Sequence, residues 1–135
     1  MGIKSLSKSK GFSLVELLVS AAILGYALSV ILVSFVNNME LTQTSRNLTK
    51  AITHAEFVME DIRNTQFSNI ATKINAGDWD WNTATITAKG LNVLMSESIS
   101  TTVSGTSLLD ITVTVSWTGA KQRPQTKSIR TMITG

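Results

Sequence analysis

The sequence predicts an α+β protein, a long N-terminal α-helix packed against a small antiparallel β-sheet. Three observations predict it. Twenty residues from Leu17 to Val36 run without a charge. A segment free of proline and glycine follows, Asn38 to Gln66, with apolar residues at helical spacing. The last third of the chain then changes to β-branched residues in alternation with polar ones, clearest in Leu109-Asp110-Ile111-Thr112-Val113-Thr114-Val115-Ser116-Trp117.

At about 1.5 Å rise per residue the apolar run makes a helix roughly 30 Å long, the thickness of a bilayer core. Lys4, Lys8 and Lys10 stand on its N-terminal side, and the far flank begins Asn37-Asn38-Met39-Glu40. This asymmetry places the N-terminus in the cytoplasm and everything after Asn37 outside it. The same three lysines account for the formal charge of +3: without them nine basic side chains balance nine acidic ones. The body of the chain therefore gives no general electrostatic argument for a nucleic-acid or anionic-surface partner.

A secretory signal peptide is the competing reading, since Val19-Ser20-Ala21 has the form of a small-residue cleavage site. The apolar run continues well past that site, beyond the roughly 7–15 residues of a signal-peptide core. Glu16, in the opening turn of the run, also opposes it. A carboxylate costs about 2.5–3.5 kcal/mol at mid-bilayer, less near the interface, and an unprocessed membrane anchor gives no reason to keep one. Cleavage between Gly11 and Phe12 does supply a reason. The new α-amine of Phe12 would be a cation four residues from Glu16, on the same face of a helix, or Glu16 could meet the amine of a neighbouring subunit.

Lys10-Gly11-Phe12-Ser13-Leu14-Val15-Glu16-Leu17-Leu18, ahead of the apolar stretch, resembles the processing site of type IV prepilins and pseudopilins. The resemblance implies cleavage after Gly11 by a membrane-embedded prepilin peptidase and N-methylation of Phe12. It also implies a role in assembly for Glu16, which would pair with the Phe12 amine of an adjacent subunit and set its axial register. Expected partners are prepilin peptidase, other pilin or pseudopilin subunits, the inner-membrane assembly platform and, before assembly, the lipid bilayer. Expected localisation is the bacterial inner membrane, single-pass, followed by a type IV pilus, competence pilus or type II secretion pseudopilus. Many major pilins carry a proline in the second half of this helix, around the position of Val33. The only proline here is Pro124, so the expectation is a minor pilin or minor pseudopilin. Gly25, Ser29 and Ser34 suit close helix packing instead.

These readings divide the chain into a basic leader (1–11), a membrane or filament-core half of the helix (12–37) and an amphipathic half (38–66). A connecting loop region (67–90) and an antiparallel meander (91–135) follow. The expected apolar stripe of the amphipathic half is Leu41, Leu48, Ile52, Ala55, Met59 and Ile62, with His54 as a surface or boundary side chain beside it. Within Asn75-Ala76-Gly77-Asp78-Trp79-Asp80-Trp81-Asn82, Asp78 and Asp80 are weak calcium candidates. The alternative is that the tryptophans pin a loop while the aspartates stay solvated. The expected strands are Ser98–Val103, Leu109–Trp117 and Thr126–Thr134, joined through Ser104-Gly105-Thr106 and a loop from Gly119 to Pro124.

No catalysis is expected. Cysteine is absent and His54 is the only histidine, which removes thiolate chemistry, histidine-rich metal sites and Ser/His/Asp triads. No cofactor is implied. Lys121, Arg123, Lys127 and Arg130 form a possible nucleic-acid patch, with only Trp117 nearby to stack on a base. The expectation there is a solvated loop and strand face. A module binding DNA or a secreted substrate is the alternative function.

Overall fold

A computed structural model describes residues 12–135. It contains helix α1 (Leu14–Arg63), helix α2 (Phe67–Ala76), strand β1 (Trp81–Asn82), helix α3 (Thr83–Ala88) and strand β2 (Ser98–Ser104). Strand β3 (Leu108–Thr118), a 3-10 turn (Ala120–Gln122) and strand β4 (Pro124–Thr134) complete it. The described residues divide into two compact units, 12–39 and 40–135.

In the first unit α1 exposes its apolar side chains on every side, among them Leu17, Ile23, Leu28, Val33 and Phe35. No side chain of Leu14 to Met39 is buried within the protein. A helix apolar all round needs an apolar surrounding from elsewhere. The helix is long and apolar enough to cross a membrane. Ser20 and Ser29 return their hydroxyls to the carbonyls of Glu16 and Gly25, at 2.7 and 2.9 Å, so neither presents an unsatisfied donor.

In the second unit the remainder of α1 lies on an antiparallel sheet of order β1-β2-β3-β4. Its buried residues are Ala51, His54, Ala55, Val58, Met59 and Ile62, a single face at i, i+3 and i+4 spacing. The expected stripe thus begins later than the sequence suggested, because Leu41 and Leu48 are exposed. Across from this face, β3 alternates strictly, with Leu109, Ile111, Val113, Val115 and Trp117 buried and the residues between them half-buried. Burying each such aliphatic side chain contributes about 1.5–3 kcal/mol.

The stretch 67–90, expected as a connecting loop region, contains two helices and an edge strand. Ile70 and Ile74, four residues apart, give α2 a buried face. Gly77, at φ +80°, stops it: the Gly77 and Asp78 N–H groups donate to the Ile74 and Lys73 carbonyls at 3.0 and 3.1 Å. Asn82 starts α3 by accepting the Thr85 N–H at 3.0 Å on its side-chain oxygen. The sheet also gains β1, which pairs Trp81 with Ile99 and Asn82 with Ser98. Between β2 and β3, Gly105 sits at φ +92°, where a Cβ would lie 2.0 Å from the Leu108 carbonyl oxygen. Only glycine fits that turn.

Candidate functional site

The residues singled out from the sequence fall into four groups. Gly11 and the leader lysines lie outside the described residues. Phe12 is 74% exposed and, with Ser13, precedes the first helical residue, Leu14. The Ser13 carbonyl accepts the Leu17 N–H at 3.1 Å, closing the first helical turn. Glu16 lies in that turn, where the free N–H groups of the helix favour a carboxylate. It is exposed, and among the described residues it makes no ion pair. In the uncut chain Phe12 therefore stands ahead of the helix that carries Glu16, so the two do not share a helical face.

The second group is the tryptophan segment. Trp79 and Trp81 are both buried. The Trp79 indole donates to Asp61 Oδ2 at 2.8 Å, and the Trp81 indole donates to the Asp78 carbonyl at 3.2 Å. Trp81 also tilts against Phe57, with ring centroids 6.0 Å apart. Lys73 and Lys89 lie over the Trp79 and Trp81 rings at 5.8 and 5.0 Å. Asp80 Oδ1 accepts the Thr101 N–H of β2 at 2.8 Å, and the Thr101 hydroxyl donates to the Trp79 carbonyl at 3.3 Å. The tryptophans pin the segment, while Asp80 is a strand-tying acceptor and Asp78 points to solvent. Among the described residues no three His, Asp or Glu side chains gather to hold a metal ion.

The basic cluster is divided by its partners. Lys121 Nζ meets Glu40 Oε2 at 2.8 Å. Arg130 binds Asp110 through Nε and Nη2 in a two-point pair across β3 and β4. That guanidinium holds the Asp110 carboxyl below the ordinary aspartate range, chiefly through the hydrogen bond, which outweighs the opposing desolvation and is joined by a lesser Coulomb attraction. Arg123 and Lys127 are exposed and make no ion pair among the described residues. Trp117 is buried under the sheet and is not offered to a nucleic-acid base.

His54 corrects the sequence reading most clearly. It is buried, and so is Glu97. His54 Nδ1 lies 2.6 Å from Glu97 Oε1, Glu97 Oε2 accepts the Leu94 N–H at 2.7 Å, and the Glu97 carbonyl accepts the Thr83 hydroxyl at 3.1 Å. One glutamate thereby ties α1, α3 and the segment entering β2. The sequence signal was available: His54 falls on the i, i+3, i+4 face of Ala51, Ala55 and Val58, where a polar residue requires a buried partner.

The class defined by these features is an α+β domain that shares its first helix with an exposed apolar segment of membrane-spanning length. A family model of the prokaryotic N-terminal methylation motif matches residues 6–32. The match supports a type IV prepilin- or pseudopilin-type protein. This motif marks structural proteins, and it implies processing by prepilin peptidase and assembly with other pilin subunits. Motif and helix together are consistent with a single-pass inner-membrane pilin. No curated protein and no solved structure matches the chain.

Proposed function

We propose that this protein is a minor subunit of a type IV pilus, a competence pilus or a type II secretion pseudopilus, with no catalytic activity of its own. One observation carries the reading: the methylation motif opens onto a helix whose apolar side chains are exposed on all sides. Such a helix suits two surroundings in turn, the bilayer before assembly and the packed helices of a filament core after it. Prepilin peptidase cuts after Gly11 and methylates the amine of Phe12. A glycine there leaves room for the protease and permits unusual backbone angles. Leader lysines keep the cut on the cytoplasmic side, and the unit from Glu40 onward is exported.

Glu16 then pairs with the Phe12 amine of an adjacent subunit. Two facts support a contact between subunits: Phe12 precedes the helix that bears Glu16, and Glu16 has no cation partner among the described residues. An uncompensated charge entering a helical core is costly, so the pair fixes the axial register at which a subunit joins. The lack of proline in α1 favours a minor subunit. Replacement of Gly11 by leucine tests the reading: the chain should accumulate in the membrane with its leader attached. Normal removal of the leader from that variant would contradict it.

A further inference from the structure

We infer that the free edge of β4 is a docking site for an extended acidic segment of another protein chain, which joins the sheet as an added strand. The sheet ends at β4, which pairs with β3 alone. It is eleven residues long, whereas the strand at the opposite edge has two. Every second residue of an edge strand turns its N–H and C=O outward. Among the described residues, no backbone hydrogen bond outside the β3–β4 ladder involves residues 125–134. Two devices that block an edge are missing, a short strand and a bulge: the register with β3 runs unbroken from Leu108↔Thr134 to Thr118↔Pro124, the proline stands only at the strand's first position, and the charge on the strand, Lys127 and Arg130, is of one sign.

The layer beneath this edge is also incomplete. On β3 the inward residues Ile111, Val113 and Val115 are fully buried, yet Ile129 and Ile133 on β4 are only partly buried. A strand laid beside β4 would cover them, as it would cover any apolar row left open at a sheet margin.

Charge selects the occupant. No acidic residue follows Asp110 in the sequence. Lys121 and Arg130 are neutralised by Glu40 and Asp110, which leaves Lys127 on β4, Arg123 just before it and Arg63, whose guanidinium donates to the Thr131 hydroxyl at 3.1 Å, as cations without an ion pair among the described residues. Same-sign charge repels a basic strand and attracts an acidic one. Nucleic acid is a poorer fit, because Trp117 is buried and the edge offers alternating backbone donors and acceptors, the complement of a peptide. This inference rests on the edge itself and does not depend on the filament reading.

The test uses the full chain in detergent micelles and a labelled synthetic peptide of eleven residues, matching β4 in length, that alternates valine with glutamate. Fluorescence anisotropy should show saturable binding. The Arg123→Glu/Lys127→Glu double variant should bind about tenfold more weakly, as should a peptide with lysine in place of glutamate. Hydrogen exchange should slow at alternate amides of β4 when the peptide is bound. Unchanged tryptophan fluorescence verifies that the variant is folded, since all three tryptophans are buried. Absence of binding, indifference to either charge reversal, or protection elsewhere than β4 would overturn the inference. So would displacement of the peptide by short duplex DNA whose own binding weakens steeply with salt.

Discussion

Glu97 Oε1 lies 2.6 Å from His54 Nδ1, inside the protein, and joins residues that are 43 positions apart in the chain. Removing one member of a buried hydrogen-bonded pair leaves the other unsatisfied, at a cost of about 1–3 kcal/mol. Glu97→Ala should therefore lower the unfolding free energy by that amount, measured by urea titration of the tryptophan fluorescence. The double variant His54→Leu/Glu97→Leu should lose less than the sum of the losses in His54→Leu and Glu97→Leu measured singly. Additive losses would show that the two side chains are not coupled.

The two faces of β3 should respond differently to truncation. Ile111 is fully buried, and Ile111→Ala should cost about 2–5 kcal/mol through lost burial and a residual cavity. Thr112 points to the wet face, and Thr112→Ala should stay within about 0.5 kcal/mol. Similar losses at the two positions, read from the same urea titration, would mean that the alternation does not describe the packed domain.

Acid should weaken the outer face of the sheet through Asp110. Its carboxyl is held below the ordinary aspartate range when folded, so the pair with Arg130 contributes at pH values above the unfolded carboxyl's pKa. The contribution is lost as pH falls through the folded one. The stability difference between the wild type and Asp110→Asn should be present at neutral pH, vanish in acid and shrink in high salt, since Arg130 is exposed and Asp110 only half-buried. A difference that persists unchanged in strong acid would contradict this assignment.

Assembly should depend on Glu16 separately from processing. Glu16→Val keeps the cleavage sequence and the apolar helix, so the leader should still be removed. The processed variant should then remain in the membrane fraction, with little in sheared filaments or pseudopili. Recovery in filaments at the wild-type level would exclude a register role for the carboxylate.

Much of this molecule was legible in its residues, for physical reasons that differ along the chain. The apolar run and the alternation of Leu109 to Trp117 are long, periodic signals, and both elements appear with ends within one to three residues of those expected. Short elements were harder. The face made by Ile70 and Ile74, followed by Gly77 as a left-handed cap, spells α2, and Asn82 ahead of Thr85 spells the start of α3. Both signals are a single turn or two deep and compete with the turn formers around Asp78. The contacts of Glu97 were out of reach, because nothing local distinguishes a glutamate that turns inward to a histidine from one that turns to solvent. At the candidate site, the roles proposed for Gly11, Phe12 and Glu16 rest on the motif. The split of the basic cluster into paired and unpaired members required the sheet register that sets Arg130 near Asp110.

As a prepilin, the chain is proposed to be cut after Gly11 and then methylated on the amine released at Phe12. The most direct test is the mass and sequence of the N-terminus of the protein isolated from membranes of cells that contain prepilin peptidase. The account predicts a chain that lacks residues 1–11 and begins at Phe12 with a methylated amine. An N-terminus at Met1, or one created by cleavage near Val19-Ser20-Ala21, would contradict it.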